Sequence, residues 1–200
     1  RKEAVALFGS LAGKNVLDVA CGTGDLAIAI VKAGDDTTTV TGADFSKEML
    51  KIGTEKIKKN NLGNRVTLEE GDALNLKYDD SSFDCVSCAF GVRNFADLDI
   101  GLKEMSRVLK KGGTMVVLEF TAPKNRLVGL LYRFYFTRLL PIIGGVVSGK
   151  KSAYTYLPDS VYKFPSPPEF KKRMESVGLS DVSFIPLTLG ICGIHTGVKT

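Results

Sequence analysis

Short apolar runs alternate along the chain with longer stretches in which apolar residues recur every three or four positions. An apolar, β-branched run predicts a buried strand, and the wider spacing predicts a helix with one face on a core. The predicted strands lie at residues 15–20, 38–43, 66–70, 84–90 and 115–120. Because helical stretches separate them, the alternation predicts an α/β fold with a parallel, doubly wound, Rossmann-like sheet and helices on both faces.

Capping residues mark where three of the helices begin. Ser46 and Asp97 each precede a helical pattern, and Ser166 opens a capping box with proline at the first helical position. Glycines are expected to end the last two of these helices, after Lys111 and at Gly178. The helix after Asp97 is predicted to bury a stripe formed by Leu98, Leu102, Met105 and Leu109.

The alternation changes after the fifth predicted strand. Residues 127–143 are crowded with leucine, phenylalanine and tyrosine, which predicts a helical, substrate-covering insert within residues 122–165. Residues 181–186 and 190–198 then predict two further strands, expected to pair antiparallel. We see no internal repeat, no low-complexity tract and no second domain, so residues 1–200 are predicted to form a single domain around seven strands.

Composition narrows the class of protein. The 200 residues are 44% hydrophobic, enough for one full core, and no apolar run reaches the roughly 18–20 residues of a membrane span. The net charge of +5 comes from scattered residues, which favours a solvated basic surface and no nucleic acid partner. The chain starts at Arg1 rather than at a methionine, so we expect a native segment to precede it.

Four cysteines raise the question of a metal site. Cys85 and Cys88 have C-x-x-C spacing, but residues three apart on a strand point to opposite faces. His195 is the single histidine, and it is expected to be structural. We therefore predict no metal, and unpaired thiols indicate a reducing, cytoplasmic location.

A glycine-rich turn follows the first predicted strand. Asp18 lies near the end of that strand, and Gly22, Thr23 and Gly24 lead into a helix. Ligands of parallel sheets bind beyond the carboxyl ends of the strands, and glycine lets the backbone approach a ligand because it has no Cβ. The turn is therefore the predicted ligand site.

Acidic residues suggest which ligand binds there. Asp44, after strand two, is placed to take both hydroxyls of a ribose, and Asp72-Ala73, after strand three, to lie beside an adenine. The turn also fits the G-x-G-x-x-[G/A] pattern of dinucleotide sites, which remains the alternative. Asp18 and Asp25 bracket the turn with negative charge, which disfavours a pyrophosphate and suits an ammonium and a sulfonium. We therefore expect S-adenosyl-L-methionine, with S-adenosylhomocysteine as product.

Motifs outside the turn are more specific. Three stretches of the chain resemble the quinone-biosynthesis C-methyltransferases. They are Ala89-Phe90-Gly91-Val92-Arg93-Asn94, the run from Arg107 to Gly113 followed by Leu118-Glu119-Phe120-Thr121, and the ending at residues 195–199. These enzymes methylate menaquinone and ubiquinone precursors, and the resemblance spans nearly the whole chain. Lys111 and Thr121 depart from the family's usual proline and serine.

The resemblance also implies roles for individual residues in holding the cofactor. The floor of the site would be Asp18, Gly22 and Gly24. Direct contacts would come from Thr23, Asp44, Phe45, Asp72 and Ala73, with Ala89 contributing its backbone only.

Methyl transfer is a direct displacement, so the protein chiefly aligns donor and acceptor. The acceptor ring must be electron-rich, most simply as a quinol with one hydroxyl deprotonated. Arg93 is expected to stabilise the phenolate and Asn94 to hold the ring, with an ion-pair role as the alternative for Arg93. Glu119 is expected to anchor the neighbouring loop.

The expected substrate is a small-molecule prenylated quinol, whose tail needs an apolar channel. The aromatic insert carries basic residues that suit both such a tail and peripheral contact with a membrane surface: Lys124, Arg126, Arg133 and Arg138. The alternative is a lid packed on the core or on a second copy in a homo-oligomer. The rival functions are a methyltransferase for a phospholipid head group or RNA, and a non-catalytic cofactor-binding subunit.

Overall fold

A computed structural model of the chain describes residues 1–121 and 160–200. The strands are β1 Asn15–Val19, β2 Thr39–Asp44, β3 Val66–Glu70, β4 Phe83–Ala89, β5 Leu109–Phe120, β6 Leu179–Leu187 and β7 Cys192–Lys199. The helices are α1 Lys2–Ala6, α2 Asp25–Ala33, α3 Lys47–Lys59, α4 Leu98–Val108 and α5 Pro167–Ser176. Within these described residues, short 3-10 turns also cover Val92–Asn94 and Thr188–Gly190.

The strands form one sheet in the order β3-β2-β1-β4-β5-β7-β6. β1 to β5 pair in parallel, and β7 runs antiparallel to both β5 and β6. The doubly wound fold and the antiparallel last pair are thus confirmed. The order reverses between β1 and β4, so the loops after these two strands diverge and leave a crevice at the carboxyl edge of the sheet.

Helices cover both faces of the sheet. Buried residues of α1, α2 and α3 share one apolar cluster, and those of α4 and α5 share the other. Cys85 belongs to the first cluster and Cys88 to the second, which confirms that the two thiols point to opposite faces.

The predicted caps are present. The Ser46 hydroxyl accepts a hydrogen bond from the Met49 N–H at 3.4 Å, and the Asp97 carboxylate accepts from the first turn of α4 at 3.0 Å. Ser166 and Glu169 form the reciprocal capping box, with proline following Ser166. Because a cap fixes where a helix begins, Ser46 sets the start of α3 directly after the end of β2.

One boundary was predicted wrongly. The helix α4 ends at Val108, and Leu109, expected on its buried stripe, instead opens β5 and pairs with Phe83. The next paired residues in this register are Cys85 and Thr114, so residues 110–113 form an irregularity, with Gly112 at a φ of +74°. The spacing of Leu109 fits a helix, but pairing with β4 is a long-range contact that spacing does not contain. Most of the predicted insert at 122–165, including residues 127–143, lies outside the described residues.

Candidate active site

A cavity of about 870 Å³ opens at the carboxyl ends of β1, β2 and β4. Its size is typical of small-molecule sites. Eight of the nine residues predicted to hold the cofactor line it: Asp18, Gly22, Thr23, Asp44, Phe45, Asp72, Ala73 and Ala89. The ninth, Gly24, is the N-cap of α2, so it shapes the turn without forming the wall.

The glycine turn takes an unusual backbone path. Ala20, Gly22 and Gly24 have φ values of +53°, +55° and +72°, a region that glycine adopts without strain. A Cβ on Gly24 would come within 3.3 Å of a Leu68 methyl group. The two glycines therefore let the chain reverse tightly while α2 starts close to β3.

Asp44 is locked in place at the end of β2. Its Oδ2 accepts the Gly22 N–H at 2.7 Å, and its Oδ1 accepts the Ser46 N–H at 2.8 Å. Each carboxylate oxygen keeps a second lone pair, so the group can still accept from two adjacent ligand hydroxyls. Phe45, 80% exposed, lines the cavity beside it and offers an apolar surface to a ring.

Asp18 lies at the base of the cavity and is only 1% exposed. Its Oδ1 accepts the Ser87 hydroxyl at 2.8 Å, while Oδ2 has no hydrogen-bond partner among the described residues. Burial raises the pKa of Asp18 from 3.8 to about 7. A buried acceptor without a partner at a cavity wall fits a cationic ligand group such as the ammonium of S-adenosylmethionine, because the ligand would supply the missing donor and charge.

The charge argument from the sequence needs a correction. Asp25 also lines the cavity, but its carboxylate is paired with Lys56 at 2.9 Å and with Arg1 at 3.7 Å. Lys56 donates to the Thr23 hydroxyl as well, at 2.7 Å, and its hydrogen bond to Asp25 lowers the pKa of that carboxyl. The turn is therefore less negative than its sequence suggests. Asp25 instead belongs to a group of hydrogen bonds and ion pairs that joins α3 to the turn.

The two predicted catalytic residues are placed differently. Asn94 lines the cavity, together with Phe90 and Gly91 from the same loop. Arg93 is absent from the cavity wall, and its guanidinium instead forms an ion pair with Glu119 at 2.7 Å. Burial raises the pKa of Glu119, while the Arg93 charge opposes that rise.

Sequence reasoning missed several cavity residues. Phe95 and Ala96 follow the resemblance motif directly, and their nearness to Asn94 could have suggested them. Met49 lies about one helical turn after Phe45, and Leu74 directly follows Ala73, whereas Arg1 carries no local signal.

His195 lies in the core rather than in the cavity wall. Its ring packs between Phe170 and Phe184, with centroids 4.8 and 4.6 Å away, and its Nε2 lies 3.2 Å from the Pro167 carbonyl oxygen. Within residues 1–121 and 160–200, we find no cluster of three or more side chains able to hold a metal ion.

The sheet order, the reversed β7 and the acid-flanked glycine turn define a class I methyltransferase dependent on S-adenosylmethionine. The chain belongs to the ubiE/COQ5 methyltransferase family, whose model matches residues 1–199. It is 45% identical over 199 residues to the ubiquinone/menaquinone biosynthesis C-methyltransferase UbiE of Geobacter sulfurreducens, covering 100% of this chain and 77% of that protein. It is 46% identical over 197 residues to the demethylmenaquinone methyltransferase of Thermus thermophilus, covering 98% and 88%.

Solved structures share the fold. A SAM-dependent methyltransferase from Aquifex aeolicus superposes with a TM-score of 0.72 at 18% identity, covering 100% of this chain and 89% of that one. A Haemonchus contortus N-methyltransferase in complex with S-adenosylhomocysteine gives a TM-score of 0.74 at 17% identity, covering 99% and 52%. Across the part of the chain that the structure describes, no helix has the length and apolar character needed to span a membrane.

Proposed function

We propose that this enzyme methylates a ring carbon of a prenylated quinol, a precursor of menaquinone or ubiquinone, with S-adenosylmethionine as donor. The observation that carries the proposal is one continuous cavity that joins Asp44 and Asp72 to the loop bearing Asn94. The names of the relatives support the same acceptor class.

The sheet order supports one orientation of the donor. The loops after β2 and β3 lie on one side of the glycine turn, and the loop after β4 lies on the other. Asp44 would bind the ribose and Ala73 the adenine, while the unpartnered Oδ2 of Asp18 would take the ammonium. S-adenosylmethionine supplies an electrophilic methyl group when bound. In this orientation the acceptor would lie beside Asn94.

The β4 side of the cavity suits an aromatic acceptor. Asn94 would hold a ring oxygen through its amide, and Phe90 and Phe95 give that side apolar walls that keep water from the reacting carbon. Alignment of the ring then accounts for most of the catalysis that these residues provide. The prenyl tail, the insert that would cover it and contact with a membrane surface remain parts of the proposal.

The experiment separates the donor and acceptor sites. We expect Asp44→Asn to weaken S-adenosylhomocysteine binding about 10- to 100-fold by calorimetry, because charge-assisted hydrogen bonds to the ribose are lost. Asn94→Ala should leave that affinity within about twofold and lower methylation of a short-tail demethylmenaquinol about 10- to 100-fold. Asp36→Asn, at an exposed position on the amino side of β2, is the matched control and should change neither value.

The result has clear alternatives. If the protein binds the donor and methylates a phospholipid head group but not the quinol, the proposed acceptor is wrong and the enzyme class still holds. Donor binding without methylation of any acceptor offered would favour the non-catalytic subunit considered from the sequence.

A further inference from the structure

The Arg93–Glu119 ion pair does not line the cavity, and its side chains are only 10% and 1% exposed. Burying two charges costs free energy, which their mutual attraction does not always recover. The Nε of Arg93 has no hydrogen-bond partner among the described residues, which adds to this cost. A buried pair of this kind is weak evidence for stability, so its role is better sought in what it holds in place.

Glu119 connects the end of β5 to the loop after β4. Its Oε1 accepts the Arg93 guanidinium at 2.7 Å and the Phe120 N–H at 2.8 Å, and its Oε2 accepts the Arg93 N–H at 3.3 Å. The same guanidinium nitrogen, Nη1, donates to the Phe90 carbonyl oxygen at 2.5 Å. Arg93 therefore ties both its own backbone and that of Phe90 to a single carboxylate.

The segment held in this way has an uncommon backbone shape. Phe90 has a φ of +58°, a conformation that costs free energy for a bulky residue and persists only where its surroundings enforce it. The Phe90 ring packs on the Phe120 ring, with centroids 4.6 Å apart. The Arg93 guanidinium lies 5.3 Å from the centre of the Phe120 ring. Gly91 packs tightly against the glycine turn, because a Cβ there would lie 2.5 Å from the Cβ of Ala20.

We propose that Arg93 and Glu119 are a positioning pair, which holds the loop of residues 90–94 in the shape that presents Phe90 and Asn94 to the acceptor. The pair acts through the loop and does not touch the reacting atoms. This differs from direct stabilisation of the phenolate, the first role expected for Arg93. It agrees with the ion-pair alternative for Arg93 and with the anchoring role expected for Glu119. The rate consequence rests on the proposed function, but the effect on the loop does not.

Glu119→Gln is the first test, because it removes the charge while keeping the size and one carbonyl acceptor. We expect kcat for quinol methylation to fall about 10- to 100-fold, with S-adenosylhomocysteine affinity within about twofold of wild type. Amide hydrogens of residues 90–94 should exchange at least about tenfold faster, while those of β1 keep their protection. Arg93→Lys should behave alike, and the double variant should be no slower than the slower single variant, because the two residues act as one unit.

Glu104→Gln is the matched control, since Glu104 pairs with Arg107 at 2.8 Å on α4 and does not line the cavity. It should leave kcat and the exchange of residues 90–94 unchanged. Unchanged exchange in Glu119→Gln would overturn the positioning role. A second combination of results would also overturn it. If Glu119→Gln turns over at nearly the wild-type rate, and if high pH relieves the defect of Arg93→Lys, then Arg93 stabilises the phenolate directly. Exchange and cofactor affinity need no acceptor, so they decide the pair's role even if the quinol is not the substrate.

Discussion

Two aspartates of the cavity differ in chemistry because their surroundings differ. Asp44 accepts hydrogen bonds from two backbone N–H groups, whereas Asp18 is buried with one oxygen unpartnered among the described residues. Burial disfavours the charged form of Asp18, while a bound ammonium would favour it. At the scale of single residues, protonation and cofactor binding should therefore be linked at Asp18.

Asp18→Asn should change how stability depends on pH. Burial raises the pKa of Asp18 from 3.8 to about 7, so the folded protein retains a proton that the unfolded chain releases. The resulting stabilisation is full below the unfolded pKa and is lost as the pH rises through about 7. Because asparagine does not titrate, urea denaturation should show the variant gaining stability relative to wild type between about pH 5 and about pH 8.

Cofactor affinity provides the second measurement for this residue. Wild-type affinity for S-adenosylhomocysteine should rise from about pH 6 to about pH 8 as Asp18 ionises, and Asp18→Asn should lose that rise. Asp36→Asn, at an exposed position, should keep it. An identical pH dependence in wild type and Asp18→Asn would show that Asp18 does not meet the ammonium.

At the scale of elements, the packing of α3 against the glycine turn sets the shape of the donor site. Gly53 faces the turn, and a Cβ there would lie 2.5 Å from a Leu68 methyl group and 3.1 Å from the Thr23 carbonyl carbon. On the same helix, Lys56 donates hydrogen bonds to Thr23 and Asp25. The helix thus supports the turn by close contact and by charge.

Gly53→Ala tests this contact, because intrinsic propensity and packing predict opposite signs. Alanine favours a helix by about 1 kcal/mol over glycine, but overpacking against backbone typically costs about 1–3 kcal/mol. We expect a net loss of stability in thermal denaturation and weaker S-adenosylhomocysteine binding. Lys51→Ala, on the exposed side of α3, should change neither. A more stable Gly53→Ala with unchanged affinity would mean that the helix and turn can move apart freely.

At the scale of the whole molecule, a histidine is buried between the sheet and α5. His195 on β7 is 1% exposed, and the Pro167 carbonyl at the start of α5 accepts its Nε2–H. Burial lowers the pKa of His195 from 6.5 to about 4. The folded state therefore favours neutral histidine, and the unfolded chain takes up a proton first as the pH falls.

The folded protein therefore loses stability as the pH falls from about 6.5 to about 4. His195→Phe removes this titration and keeps a ring between Phe170 and Phe184, at a cost of about 1 kcal/mol for the lost hydrogen bond. We expect urea denaturation to show a smaller drop in stability between about pH 7 and about pH 5 for the variant. An equal drop would mean that other groups carry the acid sensitivity.

The sequence by itself determined the sheet, the turn and the acids after β1 to β3. Apolar β-branched runs, apolar residues that recur every three or four positions, caps such as Asp97 and glycines in a turn are local signals. The residues that produce them lie within a few positions of one another. The carboxyl ends of parallel strands meet at one edge, so the sequence alone predicts that Asp18, Asp44 and Asp72 lie around one cavity, as the structure has them.

Only the tertiary structure decided which distant residues these side chains and strands contact. The carboxylate of Asp25 is paired with Lys56, Arg93 turns to Glu119, and Leu109 joins a strand through Phe83. Each contact links residues more than twenty positions apart, and spacing along a chain does not specify which side chain approaches from elsewhere. The pKa of Asp18 depends in the same way on the sum of its neighbours, since burial is a property of the folded molecule and not of the aspartate.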